Sequence, residues 1–230
     1  MNNGYDTKSD SIKTDLQIEQ NVIAELEWDA AIDATQLAVE VSDGVVTLAG
    51  HLNNFAEKWY AERAVQNIAG VKALAIKIDV ALTGSTLRKD TDIALTAENV
   101  LQWVTYWPKD TIKVMVDNGW ITLSGEVDLE YHRKAAEDCV RHLKGVTGVS
   151  NQITLKPKSS LKVNKSEIEA ALSRRVSTDA QSISVKVKGS NVTLSGNVSS
   201  WHELELARQA AWGTLGVTNV VDDLTVSYAE

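Results

Sequence analysis

Residues 43–50 read DGVVTLAG, and close copies recur as NGWITLSG at 118–125 and GSNVTLSG at 189–196. The closing glycines of these copies, Gly50, Gly125 and Gly196, recur at nearly equal intervals along the chain. Twenty residues after each closing glycine stands a glycine followed by valine, at Gly70, Gly145 and Gly216. Self-similarity at a nearly constant period is the signature of a repeat architecture, so the chain contains three copies of one unit.

The repeat divides the 230 residues into three units of similar length. Units this small bury only roughly 60% of the surface that their unfolded chains expose, so contacts between neighbouring units are expected to stabilise them. The predicted division is a disordered N-terminus at 1–14, a first unit at 15–82, a linker at 83–89, a second unit at 90–157, a basic linker at 158–165 and a third unit at 166–230.

The hydrophobic pattern of each unit predicts the order α-β-β-α-β. In the first unit, apolar residues at helical spacing predict helices over about 15–27 and 55–69. Alternating apolar residues predict strands around 37–41, 46–50 and 74–80. The other two units repeat these patterns. We therefore predict an α+β fold of three tandem α-β-β-α-β units, each with two helices on one face of a three-stranded mixed sheet.

Turn and capping residues recur at fixed places in the units. The pairs Asp43-Gly44 and Asn118-Gly119 predict type I′ hairpin turns, and Gly189-Ser190 predicts a type II′ turn. Residues predicted to cap the second helices are Asn53 or Asn54, Asp128, and Ser199 or Ser200. Nine glycines are interpreted as structural turn and helix-stop residues: Gly44, Gly50, Gly70, Gly119, Gly125, Gly145, Gly189, Gly196 and Gly216.

Composition and charge limit the classes of partner. The net charge is −8, and each of the three units contains more acidic than basic residues. Phosphate binding requires a basic stripe, so we expect no nucleic-acid partner and no electrostatic attachment to an anionic bilayer. No apolar run approaches the roughly 18 residues that a membrane-spanning helix requires. Because the N-terminus also lacks a hydrophobic secretory segment, we expect a cytoplasmic protein with no transmembrane segment.

The sequence offers no constellation that predicts catalysis. The histidines, His51, His132, His142 and His202, occupy four different repeat positions, and no pair has metal-ligand spacing. The single cysteine, Cys139, reads as a small buried side chain on a helix. We therefore predict no enzymatic activity, no catalytic residues, no metal site and no cofactor.

Tryptophan is the unusual feature of the composition, with seven in the chain. Trp59 and Trp212 occupy second-helix positions at which the other units carry polar or charged residues, and the two positions differ by two helical turns. We expect protein to cover both rings, from another unit or another chain, because an exposed apolar ring lowers solubility. Alternatively, the tryptophans form a lipid- or ligand-contacting patch. The candidate interaction surface comprises Trp59, Trp212, Trp28, Trp103, Trp107 and Trp120.

The repeated strand V-T-L-x-G, with its preceding turn glycine and its Ala-rich helix followed by Gly-Val, resembles the BON domain, also called the transport-associated domain. The resemblance covers essentially the whole chain from Asp15 onward and is strongest for three-domain, OsmY-like bacterial proteins that lack a signal peptide. It implies a role at phospholipid surfaces, in envelope integrity or in osmotic or other stress, and it implies no catalytic residues.

The resulting hypothesis is a non-enzymatic binding or scaffold protein, related to stress or to the envelope. Its expected partner is phospholipid or another protein, and a homo-oligomer is left open. Two alternatives remain: a chaperone-like or self-assembling stress protein, and a sensor of a small molecule or sugar.

Overall fold

The computed structural model describes residues 14–82, 84, 87–104, 111–156, 163–176 and 183–227. Trp107 and all but the last residue of the predicted disordered N-terminus lie outside the described residues, as do parts of both linkers.

Within the described residues, every unit contains two α-helices and three strands in the predicted order. The first unit consists of α1 (Asp15–Trp28), a short 3-10 helix (Ala34–Gln36), β1 (Leu37–Ser42), β2 (Val45–Leu52), α2 (Phe55–Gln66) and β3 (Ala73–Val80). The second consists of α3 (Asp90–Val104), β4 (Ile112–Asp117), β5 (Trp120–Val127), α4 (Glu130–Arg141) and β6 (Gly148–Leu155). The third consists of α5 (Lys165–Arg175), β7 (Ile183–Lys188), β8 (Asn191–Val198), α6 (Trp201–Trp212) and β9 (Asn219–Val226).

Each unit has its own three-stranded mixed sheet, which confirms the predicted fold class. In the first unit the central strand β2 pairs antiparallel with β1 and parallel with β3. The other two sheets repeat this order and these directions. A parallel pair requires a crossover connection, and the second helix of each unit supplies it.

The core of each unit lies between its sheet and its two helices. The central-strand residues Leu48, Leu123 and Leu194 are fully buried, as the sequence predicts. In the first unit, Leu48 shares one cluster with Val22 of α1 and Val65 of α2, so both helices pack on the same face of the sheet. The other two units have equivalent clusters.

The hairpin turns follow the predicted chemistry. Asp43 and Gly44 have φ of 53° and 78°, and Asn118 and Gly119 have φ of 50° and 77°. Two consecutive residues with positive φ define the type I′ turn. Gly189 has φ of 62°, and Ser190 is outside the positive-φ region, as the predicted type II′ turn requires.

Three of the predicted glycine roles are wrong, because Gly50, Gly125 and Gly196 lie inside the central strands rather than at their ends. They have φ between 129° and 141°. A Cβ on Gly50 would lie 2.0 Å from the carbonyl oxygen of Gln36, so the close approach of the neighbouring backbone excludes a side chain there.

The helix-stop interpretation of Gly70, Gly145 and Gly216 is also wrong. Each second helix ends four residues before its glycine, at Gln66, Arg141 and Trp212. In the first unit, backbone hydrogen bonds from Ile68 to Val65 and from Val71 to Ile68 form the tight turns that follow the helix. The glycines supply the positive φ, 98°, 91° and 90°, at which the chain leaves these turns.

Two of the three predicted N-caps are confirmed. The side chains of Asn54 and Ser200 accept hydrogen bonds from the backbone N–H of Glu57 and Glu203. Asp128 is not the cap of α4, because the N-cap position falls on Leu129, which makes no side-chain capping hydrogen bond.

Candidate functional site

The first and second units meet through an arginine stacked on Trp59. The guanidinium carbon of Arg141 lies 3.7 Å from the centroid of the half-buried Trp59 ring. Carboxylates of Glu137 and Asp138 each hold this guanidinium at 2.9 Å, and Arg141 is only 4% exposed. A cation over an indole face is attractive, more so when it is shielded from water, so this stack stabilises the contact between the units.

A second polar contact lies beside this stack. The Tyr60 hydroxyl and Nε2 of His142 are 3.1 Å apart, and Nδ1 of the same imidazole is 3.0 Å from the carbonyl oxygen of Asp138. Phe55, at the start of α2, packs against the core cluster of the second unit. The first half of α2 therefore contacts the second unit through three aromatic rings, and two of them, Trp59 and Tyr60, meet the C-terminal end of α4.

The second and third units also meet through an arginine stacked on a tryptophan, but the two residues exchange their places on the helices. Here the arginine, Arg133, lies in the first half of α4, and its guanidinium carbon is 4.6 Å from the Trp212 ring centroid. Glu130 holds this arginine at 2.7 Å. Trp212 is the last residue of α6, is half-buried, and packs against the core cluster of the second unit.

The third and first units are joined by Trp201, which the sequence analysis does not single out. Its indole N–H donates a 3.1 Å hydrogen bond to the backbone carbonyl of Lys72. Trp201 is the first residue of α6, and Lys72 follows the turn after α2.

These three contacts follow one rule. In each, the first half of the second helix of one unit meets the C-terminal end of the next unit's second helix, or the segment just after it. A head-to-tail contact that closes after three units forms a ring. The three units are therefore arranged as a closed head-to-tail ring, an internal counterpart of a cyclic trimer.

Three of the other predicted tryptophans are exposed. Trp28 and Trp103 stand at equivalent repeat positions, equally far before the closing glycines of their units, and are 85% and 88% exposed. Trp120 is 50% exposed on the outer face of β5, where its ring lies over Gly148. A Cβ on Gly148 would approach this ring to 2.2 Å, so the glycine provides the space for it.

Reactive groups are sparse in the part of the chain that the structure describes. No group of three or more His, Cys, Asp and Glu side chains there could hold a metal ion. Burial, reinforced by the nearby Asp138 charge, raises the pKa of the Cys139 thiol, which makes it a weak nucleophile. None of the described helices is long and apolar enough to cross a membrane.

The six predicted tryptophans thus do not form one surface. Trp59 and Trp212 stack on arginines near the two ends of α4, Trp28, Trp103 and Trp120 are exposed, and Trp107 lies outside the described residues. Sequence reasoning missed the arginines and Trp201. A usable signal exists for Trp201, because the fifth residue after the closing glycine is aromatic in two units, as Phe55 and Trp201.

Comparison with known proteins agrees with the repeat. The sequence model of the BON domain matches residues 14–81, 89–157 and 161–228. Osmotically-inducible protein Y of Escherichia coli (strain K12) is 29% identical over 129 residues, covering 54% of this chain and 64% of that protein. This chain therefore spans less than two thirds of the length of that relative.

Solved structures of one secretion-system protein share a low similarity with the chain. CdsD, a structural protein of the type III secretion system of Chlamydia trachomatis, is 14% identical over 92% of both chains, with a TM-score of 0.24. The C-terminal domain of CdsD is 13% identical, covering 94% of this chain and all of that one, with a TM-score of 0.25.

Proposed function

The chain belongs to the BON domain family, and from that premise we propose that it is a non-enzymatic binding or scaffold protein, related to stress or to the envelope, that contacts phospholipid surfaces. The similarity to a protein named for its osmotic induction supports the stress role.

The observation that carries the lipid contact is the exposure of Trp28 and Trp103 at equivalent positions of two units. A rotation that relates the units of a ring keeps equivalent positions at the same height along its axis, so both rings are expected to face the same side. Tryptophan is favoured where a surface is apolar at one end and wet at the other, as at the level of lipid headgroups.

The charges near Trp28 favour a neutral lipid surface. Glu25, Glu27 and Asp29 surround this tryptophan in the sequence, and the whole chain has a net charge of −8. An anionic bilayer would repel such a surface, whereas zwitterionic headgroups would not. The third unit carries Arg174 at the equivalent position, so the proposed contact uses two units rather than three.

Vesicle sedimentation tests this proposal. The chain is expected to sediment with vesicles of phosphatidylethanolamine and phosphatidylcholine, and added phosphatidylglycerol should weaken binding. The double variant Trp28→Ala/Trp103→Ala should lose at least about tenfold in affinity, because two rings leave the interface. Trp120→Ala is the matched control and should bind as the parent does. Failure of the parent to sediment, or unchanged binding by the double variant, would contradict the lipid contact.

A further inference from the structure

A cleft of about 240 Å³ lies where the second and third units meet. The third unit lines it with Trp212, Thr214, Leu215 and Val217, and the second unit contributes Glu130 among other residues. Leu215 is 58% exposed at this cleft although its side chain is apolar. The cleft is separate from Trp28 and Trp103, so its role does not depend on the lipid contact proposed above.

The other two contacts of the ring show what normally occupies this place. The fifth residue after the closing glycine is Phe55 in the first unit and Trp201 in the third. Phe55 packs against the core cluster of the second unit, and Trp201 reaches Lys72 of the first unit. Lys72 is the repeat equivalent of Thr218, which lines the cleft. An aromatic ring therefore fills this position in two of the three contacts.

In the second unit the same position holds Glu130, which has no ring. Arg133 donates a 2.7 Å hydrogen bond from its guanidinium to Oε1 of this carboxylate. Its Oε2 is buried and has no hydrogen-bond partner among the described residues. Burial raises the pKa of this carboxyl, although Arg133, Lys134 and Arg208 lower it. An unpaired buried acceptor is costly, so a ligand that donates a hydrogen bond to this oxygen would bind favourably once the carboxylate turns it toward the cleft.

We propose that this cleft binds a small planar aromatic molecule with a ring N–H donor, an indole-like compound, which takes the place that Phe55 and Trp201 occupy in the other two contacts. The ring would pack against Trp212, Leu215 and Val217, and the N–H would donate to Glu130. The volume suits such a ligand, because about 150 Å³ of apolar cavity accommodates benzene and drug-sized ligands need roughly 300 Å³ or more.

Titration of 5-fluoroindole, followed by ¹⁹F NMR on the full chain, tests the proposal. Binding with a dissociation constant on the order of 0.1–1 mM is expected for a ligand of this size. Glu130→Phe should weaken binding at least tenfold, because a covalent ring then fills the cleft. Glu98→Phe adds the same ring at an exposed position of α3 and should bind within twofold of the parent.

Two further variants separate loss of the site from loss of the fold. Leu215→Ala trims an exposed wall of the cleft and should weaken binding about fivefold without changing the melting point. Glu130→Gln keeps a carbonyl acceptor and should bind within about threefold of the parent. Glu130→Phe itself should melt no lower than the parent, because the other units already carry a ring at this position.

Different results would contradict the site itself and the hydrogen bond to Glu130. Absence of any ¹⁹F shift or line broadening when the protein is in excess over the ligand, or parent-like binding by Glu130→Phe, would overturn the proposed site. If 4-fluorotoluene, which has no N–H, binds as tightly as 5-fluoroindole, the hydrogen bond to Glu130 is overturned and the cleft selects only for a ring.

Discussion

Leu123 shows how strongly a single core residue supports its unit. It is fully buried in the centre of β5 and belongs to the core cluster of the second unit. Leu123→Ala is expected to cost roughly 2–5 kcal/mol in free energy of unfolding, since it removes buried methyl groups and leaves a cavity. Urea unfolding measures this change. A loss as small as that of an ordinary surface substitution would show that the residue is not part of the core.

Gly125 is a second residue whose chemistry the fold dictates. It has φ of 141°, and a Cβ there would lie 2.2 Å from the carbonyl oxygen of Thr111. Gly125→Ala should therefore lower the free energy of unfolding by at least about 1–3 kcal/mol, the usual cost of a strained backbone conformation. Gly84→Ala is the control, because nothing lies within 4 Å of the added Cβ. Equal melting points for the two variants would refute the steric argument.

At the scale of elements, the first helix is fastened to the hairpin of the same unit in the first and second units. The Asp90 carboxylate, in the first turn of α3, accepts hydrogen bonds from the backbone N–H of Asn118 at 2.8 Å and Gly119 at 2.9 Å. Asp15 makes the same pair of bonds to the first hairpin, both at 2.8 Å. This link joins segments that are distant in the sequence and fixes the helix over the sheet.

Asp90→Ala is expected to lower the free energy of unfolding by about 1.5–3 kcal/mol, because hydrogen bonds to a charged group are lost and two N–H donors must find water. Asp92→Ala removes an exposed acid from the same helical turn and should change it by less than about 0.5 kcal/mol. Chemical denaturation of both variants checks the difference. Faster amide hydrogen exchange at Asn118 and Gly119 should accompany the first variant only.

At the scale of the whole molecule, Trp59 and Trp212 fasten the first and third units to the second. Both rings face arginines, Arg141 and Arg133, so an acidic replacement could form a new ion pair. A lysine at each position instead places a positive charge beside the positive charge of the facing arginine. The double variant Trp59→Lys/Trp212→Lys should open the ring, because each stack contributes about 0.5–2 kcal/mol and the packing of the ring is lost as well.

Sedimentation velocity and small-angle scattering measure the opening of the ring as a lower sedimentation coefficient and a larger radius of gyration. The exposed pair provides the matched control, since Trp28→Lys/Trp103→Lys changes the charge by the same amount without touching these contacts. If both double variants keep the parent's shape and melting point, Trp59 and Trp212 do not hold the units together.

Much of each unit was determined by the sequence alone. The strand around Leu48, the turn at Asp43-Gly44 and the helix cap at Asn54 each depend on residues close together in the chain. The sequence pattern therefore predicts all three. The role of Gly50 was not predictable in this way. Its constraint comes from the carbonyl of Gln36 on the neighbouring chain segment, and only the folded sheet brings these atoms together.

The arrangement of the units was decided by tertiary structure. Trp59 could be marked in the sequence as a ring that something must cover, but Arg141 belongs to a different unit and resembles an ordinary exposed helix residue. Likewise, nothing in the sequence distinguishes Glu130 from other surface acids. Only the arrangement of the three units places it in one cleft with Trp212, at the repeat position where the other units have Phe55 or Trp201. Local patterns encode the fold of a unit, because its hydrogen bonds and apolar faces follow the helix and strand periods. A contact between units joins side chains of different units, which those local periods do not relate.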